Sequence, residues 1–209
     1  MVNRPAGGER SKRWDRMSLD WYIEPPSGPR QIFQCLDFGP PDNLDLLWDC
    51  CAGSGTTLDV AKEFGHETIA SDVVDRKPKH RFFRGNILQI TSIPKPRPGQ
   101  SMSIITNSPY SYEKDIAEKI IRRCMDMPLR RAVFILPIAF LCGAGRWGFF
   151  TQEFNPSHVI IFSQRPTMPP GELMETMTSP FKGGMQDYAA IAYSFPHKWK
   201  TQMLWAKPE

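Results

Sequence analysis

The feature that most constrains the fold is a strand–turn–helix–strand pattern in the first half of the chain. A short apolar segment ends in Asp49, and a glycine-containing turn and a helical stretch follow at 53–65. A second apolar segment, 68–71, then ends in Asp72. Strands that alternate with helices in this way form parallel sheets that helices cover. The pattern therefore predicts an α/β fold.

The rest of the chain adds further short apolar segments and one clear helical stretch. That stretch, 113–127, places Ile116, Ile120 and Ile121 at helical spacing. Further strands are predicted at 104–106, 133–136, 158–163 and 188–195. The predicted fold is a Rossmann-like three-layer sandwich, whose mostly parallel seven-stranded sheet carries one antiparallel strand at 188–195.

Length and composition favour one folded domain. The chain has 209 residues, of which 41% are hydrophobic, and this is enough for a sizeable single core. Residues 1–20 are basic and lack apolar periodicity, so we expect a flexible arm there and one domain at 21–209. The alternative for the arm is a solvated tail without a partner. The net charge of +4 permits a polyanionic partner without requiring one.

The cysteines and histidines argue against two classes of protein. Five cysteines, including the adjacent pair Cys50 and Cys51, make a poor disulfide framework and favour reduced thiols in the cytoplasm. The four histidines are isolated and no Cys-x-x-Cys pair occurs, so we expect no metal site. No apolar run is long enough to cross a bilayer or to form a signal peptide, so no membrane partner is expected.

The turn after the first strand suits a nucleoside ligand. Gly53 and Gly55 let a ligand approach the backbone closely, and the helix that follows offers unpaired amides to a negative group. Asp72 comes about twenty residues later, where a doubly wound sheet places a carboxylate against ribose hydroxyls. Leu58 stands where a dinucleotide motif has its third glycine, which argues against a nicotinamide cofactor. The alternative is an ordinary tight turn.

This turn resembles the first motif of class I methyltransferases that use S-adenosylmethionine (SAM), in the form found among amino-methyltransferases of nucleic acids. The resemblance implies a SAM site in which an acid and the glycine turn surround the methionine part and Asp72 holds the ribose. Asn86, in a segment similar to the family's Gly-Asp-Ile/Phe-Leu step, is then expected to contact the adenine, and its alternative is a turn-capping role. The implied cofactor-binding residues are Asp49, Cys51, Ala52, Gly53, Gly55, Asp72, Val73, Asn86 and Asn107.

A second motif, Asn107-Ser108-Pro109-Tyr110, follows the strand predicted at 104–106. It is similar to the (Asp/Asn)-Pro-Pro-(Tyr/Phe) signature of enzymes that methylate nitrogen in adenine, cytosine or glutamine. Such chemistry needs acceptors for the amine hydrogens, and the Asn107 Oδ1 and the Ser108 carbonyl can supply them. Tyr110 would stack on a flipped base, while Pro109 stiffens the turn. Ser108 departs from the signature, and a common turn is the alternative.

Other segments extend the resemblance to small phage and prophage adenine methyltransferase-like proteins. The run Trp-Tyr-Ile-Glu-Pro-Pro at 21–26 is similar to a segment that precedes the first motif there and would lie over the cofactor, although it also suits a hydrophobic cover. Two further stretches, 134–146 and 159–166, match as well, with Pro137 where that group often has arginine.

We expect residues outside the two motifs to recognise the substrate. The segment 165–186 is longer than a structural connection needs to be, which is typical of a binding loop or lid. Arg146, Arg165 and Lys182 are candidates for substrate contacts, and surface salt bridges are their alternative.

Together, the residues and the resemblance predict a SAM-dependent methyltransferase that acts on an exocyclic nitrogen, with adenine in DNA as the favoured target. An RNA or protein-glutamine methyltransferase is the first alternative, because those enzymes use a similar tetrapeptide. A SAM- or DNA-binding protein with weak catalysis is the second, because of Ser108 and Asn86. The sequence gives no prediction of the oligomeric state.

Overall fold

The computed structural model describes residues 18–182, 184, 186–196 and 200–208. Most of the predicted basic arm, residues 1–17, lies outside the described residues. Ser18–Asp20, the end of that predicted arm, forms a short 3-10 turn in which Asp20 is buried against the domain. No described helix is long and apolar enough to span a membrane.

One sheet of eight strands forms the centre of the fold, in the spatial order β3-β2-β1-β4-β5-β7-β6-β8. Every neighbouring pair is parallel except the two pairs that β7 makes with β5 and β6. The strands are β1 (Leu46–Asp49), β2 (Thr68–Asp72), β3 (Arg81–Arg84), β4 (Met102–Thr106), β5 (Arg131–Pro137), β6 (His158–Phe162), β7 (Tyr188–Ser194) and β8 (Gln202–Ala206). The predicted fold is confirmed, with eight strands in place of seven.

Helices cover both faces of the sheet, which makes three layers. They are α1 (Ser27–Cys35), α2 (Thr56–Glu63) and α3 (Ile116–Met125). Leu47 of β1 packs on the face that α1 and α2 cover, while the next residue, Trp48, packs on the face of α3. This alternation follows from the period of two along a strand. All four residues of β1 are buried, as expected for a central parallel strand.

Three elements were not located from the sequence. The first turn of α1 contains Gly28 and Pro29, which are weak signals for a helix, although proline is tolerated there. Strand β3 has no buried residue, and β8 exposes Met203 and Trp205, so neither gives the burial pattern of an interior strand. Both are outermost strands of the sheet, each with a single neighbouring strand.

The parallel register brings the functional segments to one edge of the sheet. In the pairing of β1 with β2, Asp49 aligns with Ala70, and in the pairing with β4, Trp48 aligns with Ile104. The carboxyl ends of these three strands therefore lie side by side, where open α/β sheets place their ligands. Asp49, Asp72 and Asn107 all occupy this edge.

Candidate functional site

A pocket opens at the carboxyl edge of β1, β2 and β4. One wall is formed by residues 19–24, the N-terminal strap, which lies across the edge of the sheet. The predicted cofactor and reaction residues on its walls are Asp49, Cys51, Ala52, Gly53, Asp72, Val73, Asn86, Asn107 and Pro109. The structure thus gathers residues from four separate segments, 49–53, 72–73, 86 and 107–109, around one cavity.

The glycine turn is built by hydrogen bonds and left-handed backbone. Gly53 has a φ of +52°, and its N–H donates to Asp72 Oδ2 at 2.9 Å. Gly55 has a φ of +94° and precedes α2, where an added Cβ would lie 2.9 Å from His80 Cδ2. Both positions therefore favour glycine strongly. Gly55 shapes the turn but faces His80, and it does not line the pocket as Gly53 does.

Asp49, the last residue of β1, is a buried acid without a cationic partner in the described part of the chain. Its Oδ1 accepts hydrogen bonds from Thr106 Oγ1 at 2.6 Å and from the Cys51 N–H at 3.1 Å. Burial, with a smaller contribution from the nearby acids Glu24 and Asp72, raises the pKa of this carboxyl to about 8. A bound cation would favour the ionised form.

Asp72, at the end of β2, is held from several sides. Its carboxylate accepts from the N–H groups of Gly53 and Val74 and forms an ion pair with Arg76 at 3.1 Å. The guanidinium of Arg76 in turn lies 4.4 Å from the centre of the Trp21 ring. Asp72 is therefore fixed in position at the wall of the pocket.

Asn86 makes a turn-capping hydrogen bond and also lies on the pocket wall. Its Oδ1 accepts from the Leu88 N–H at 3.0 Å, which is the turn-capping contact. The residue also lines the pocket, next to Gly85 and Ile87. The capping bond fixes which way the amide group faces.

Asn107 follows β4 and is oriented by the strap. Its Nδ2 donates to the Tyr22 carbonyl at 3.1 Å and to Glu24 Oε2 at 3.0 Å. Two acceptors on one side identify that side as the NH₂ group. The Oδ1 atom is consequently left as an acceptor on a residue that lines the pocket.

Asp20 holds the loop that follows Asn107. Its Oδ2 accepts from the backbone N–H groups of Tyr110, Ser111 and Tyr112 at 3.1, 2.5 and 2.8 Å, and its Oδ1 accepts from Ser111 Oγ at 2.8 Å. Charge-assisted bonds of this kind are stronger than bonds between neutral groups. The strap therefore fixes the loop as well as the side chain of Asn107.

The other residues of the second motif have different surroundings. Ser108 is buried, and its Oγ has no hydrogen-bond partner among the described residues. Tyr110 points its hydroxyl at that of Tyr188, 3.1 Å away, and lies outside the pocket lining. Tyr112 lines the pocket and is 40% exposed. Pro109 is the member of the motif that joins Asn107 at the wall.

The three basic candidates lie away from the pocket walls. Arg146 donates to the carbonyls of Phe140 and Cys142, and its guanidinium covers the Phe140 ring. Arg165 forms an ion pair with Asp187 at 2.7 Å, in which both side chains are about half exposed. This is the surface salt bridge considered from the sequence as the alternative to a substrate contact. Lys182 is exposed in the long segment.

The long segment 165–186 supports the strap. It contains a short 3-10 helix, Gly171–Thr176, and its described part has no strand. The Ile23 N–H donates to the Pro169 carbonyl, and the Gly171 N–H donates to the Trp21 carbonyl. The Trp21 indole packs directly against the backbone of Gly171, because a Cβ added at Gly171 would lie 2.2 Å from Trp21 Cε2.

Several residues of the site were not identified from the sequence. Asp20 precedes the first strand by more than twenty residues and Arg76 follows β2, and neither belongs to a motif. Trp21 and Glu24 lie in the segment expected over the cofactor, but no role was predicted for either side chain. A signal existed for the strap in the Trp-Tyr-Ile-Glu-Pro-Pro run, but it indicated a cover and not the hydrogen bonds to Asn107. The described residues contain no group of three or more His, Cys, Asp or Glu side chains that could hold a metal ion.

Comparison with known proteins supports the fold. No family model matches the chain, and no curated protein matches its sequence. A putative RNA methyltransferase from Pyrococcus horikoshii superposes with a TM-score of 0.59 at 17% identity, covering 84% of this chain and 87% of that one. A putative hemolysin from Lactococcus lactis gives a TM-score of 0.51 at 15% identity, covering 88% and 94%. These proteins share the architecture of this chain.

Proposed function

We propose that the chain is a SAM-dependent methyltransferase that methylates an exocyclic nitrogen, with adenine in DNA as its substrate. The observation that carries the proposal is the orientation of Asn107. Both of its N–H donors bond to the strap, so its Oδ1 remains as an acceptor beside a pocket lined by Asp49 and Asp72. An amine that is to be methylated needs an acceptor of this kind.

The residues of the pocket fit SAM as the cofactor. Asp49 is a buried carboxyl without a cation among the described residues, and it suits the positively charged methionine part. Asp72, held at the end of β2, would bind the ribose hydroxyls. Asn86 would contact the adenine, while Gly53 leaves room for a close approach. When bound, SAM supplies an electrophilic methyl group.

The residues of the chain then perform the remaining tasks. Asn107 Oδ1 accepts one hydrogen of the target amine, and the Ser108 carbonyl accepts the other. These bonds aim the nitrogen lone pair at the pocket and favour the positive charge that develops on nitrogen. The methylated nitrogen would then release one of its two protons to water. Tyr110 is the proposed stacking partner of the base, and Pro109 stiffens the loop that Asp20 holds. Arg146, Arg165 and Lys182 are proposed contacts to phosphate.

A nucleic-acid substrate is supported by charge and by a structural neighbour. The chain carries a net charge of +4, which permits a polyanionic partner. One neighbour is named a putative RNA methyltransferase. DNA is the preferred substrate because the motif order and the segments around it resemble phage adenine methyltransferase-like proteins.

The experiment is methyl transfer from radiolabelled SAM to separate pools of duplex DNA, RNA and protein. Label in DNA, followed by mass analysis that finds a methylated adenine nucleoside, is the expected result. Label confined to RNA or to protein would contradict the choice of DNA. Calorimetric SAM binding without transfer to any pool would instead point to a binding protein.

The variant Asn107→Ala tests the role of the acceptor. We expect the rate of methyl transfer to fall about 100-fold, because an oriented acceptor is lost at the reacting amine. SAM affinity, measured by calorimetry, should change less than about threefold. Asn43→Ala is the matched control, since Asn43 Nδ2 bonds the Gly99 carbonyl in an exposed loop. An equal loss of rate in both variants would contradict the role of Asn107.

A further inference from the structure

We propose that Glu24 is a positioning residue which determines that residue 107 must be asparagine and not aspartate. The inference rests on the proposed function, because it concerns the group that receives the target amine. The motif occurs with either Asp or Asn at its first position. In this chain the choice follows from a contact between the N-terminal strap and the end of β4.

The contact is specific in its donors and acceptors. Glu24 is buried, and its Oε2 accepts from Asn107 Nδ2 at 3.0 Å. Its Oε1 accepts from Thr57 Oγ1 at 2.7 Å. The Tyr22 carbonyl takes the second N–H of Asn107 at 3.1 Å. The strap therefore presents only acceptors to the side chain at 107.

An asparagine satisfies these acceptors and an aspartate would not. A carboxylate at 107 would place its oxygen about 3 Å from the Glu24 oxygen, in a buried site where two like charges cannot both be ionised. One of the two acids would have to keep a proton. The acceptor beside the pocket would then depend on pH, whereas the amide oxygen of Asn107 does not titrate.

The opposite exchange at Glu24 should repair the part of the conflict that Glu24 causes, while the bond from residue 107 to the Tyr22 carbonyl is not restored. A glutamine at 24 has an NH₂ group that can donate to a carboxylate at 107, which restores a donor–acceptor pair with the roles reversed. By itself, Glu24→Gln is a mild change, because the glutamine oxygen can still accept from Asn107 while Thr57 accepts the amide hydrogen. The two positions should therefore be strongly coupled.

The first test measures thermal unfolding at pH 8 for the wild type, Asn107→Asp, Glu24→Gln and the double variant. Asn107→Asp should lower the Tm by about 5 °C, and the double variant should recover at least half of that loss. At pH 5.5 the loss should shrink, because one carboxyl accepts a proton. Additive changes in Tm would overturn the proposal. This readout requires no methyl transfer, so it remains decisive if the proposed function fails.

The second test measures methyl transfer with the same four proteins. Asn107→Asp should reduce kcat more than tenfold, with SAM affinity changed less than threefold, and adding Glu24→Gln should restore at least a third of the wild-type kcat. The kcat of Asn107→Asp should also become dependent on pH between 5.5 and 8. A double variant no better than Asn107→Asp would overturn the proposal.

A matched control removes a different buried acid. Asp45 accepts from Ser103 Oγ at 2.5 Å just before β1, at the opposite edge of the sheet from Asn107. Asp45→Asn combined with Asn107→Asp should give additive losses of Tm and no recovery of kcat. Recovery in this combination would show that the removal of any buried acid rescues Asn107→Asp. That result would contradict a specific role for Glu24.

Discussion

Two buried aspartates lie at the opposite ends of β1 and differ in how their charge is balanced. Asp45, just before the strand, accepts from Ser103 and lies 3.5 Å from the Arg130 guanidinium. Asp49, at the end of the strand, accepts from Thr106 and from the Cys51 N–H, and its charged neighbours are the acids Glu24 and Asp72. Both side chains are almost completely buried, at 1% and 2% exposure.

The difference shows which edge of the sheet is built for a ligand. A buried charge is costly unless it is paired, and the arginine beside Asp45 supplies that pairing within the chain. Burial raises the pKa of both aspartates, but Arg130 opposes the rise at Asp45, whereas the acids Glu24 and Asp72 add to it at Asp49. Ionisation of Asp49 at the carboxyl edge is thus unfavourable in the protein alone, and a positively charged ligand would lower its cost.

The largest expected effect separates the two aspartates by cofactor binding. Asp49→Asn should weaken SAM binding about 100-fold, roughly 2.7 kcal/mol, because the carboxylate opposite the cationic methionine is lost. Asp45→Asn should leave the affinity within about threefold and should lower stability instead, since Arg130 then keeps only its pair with the exposed Asp37. Calorimetric titration with SAM and chemical denaturation measure the two quantities. Equal losses of affinity in both variants would remove the distinction between the edges.

A second, smaller effect concerns pH. Burial raises the pKa of Asp49 to about 8, well above the usual range of an aspartate, so between that range and pH 8 the folded state holds a proton that the unfolded state has released. The unfolding free energy should therefore fall as the pH rises toward 8, by up to about 1.4 kcal/mol per pH unit from this group. Denaturant unfolding without SAM at pH 6, 7 and 8 measures the slope, and Asp49→Asn should make it shallower. The same slope in both proteins would contradict the assignment.

The smallest expected effect is on the KM for DNA, and it separates two exposed aromatic residues at the two edges. Tyr112, on the pocket wall, is 40% exposed, and Phe64, after α2, is 38% exposed. Tyr112→Ala should raise the KM for DNA about threefold to tenfold without changing SAM affinity, because an aromatic face at the pocket mouth is lost. Phe64→Ala should leave the KM unchanged and reduce stability, since this ring stacks on Phe33. Steady-state kinetics on one oligonucleotide would show the contrast, and an unchanged KM in Tyr112→Ala would remove this role.

The contacts between the strap and the loop after Asn107 could not be predicted from local sequence patterns. Asn107 and Glu24 are 83 residues apart, and Asp20 is 90 residues from Tyr110, to whose N–H it bonds. The two segments meet only because β4 ends beside β1 and the strap crosses that edge. Tyr110 likewise reaches Tyr188, which lies on β7, two strands from β4 in the sheet. No periodicity in either segment predicts these contacts.

The sequence by itself determined the α/β class, the turn between β1 and α2, and nine of the 25 residues that line the pocket. These depend on local signals: apolar segments of strand length, glycines where φ is positive, and acids directly after strands. Tertiary structure alone decided the positions of α1, β3 and β8, the orientation of Asn107, and the contrast between Asp45, which lies beside Arg130, and Asp49, which has no cationic partner among the described residues. The reason is physical, since burial, pairing of charge and the direction of a hydrogen bond depend on what the fold places next to a residue.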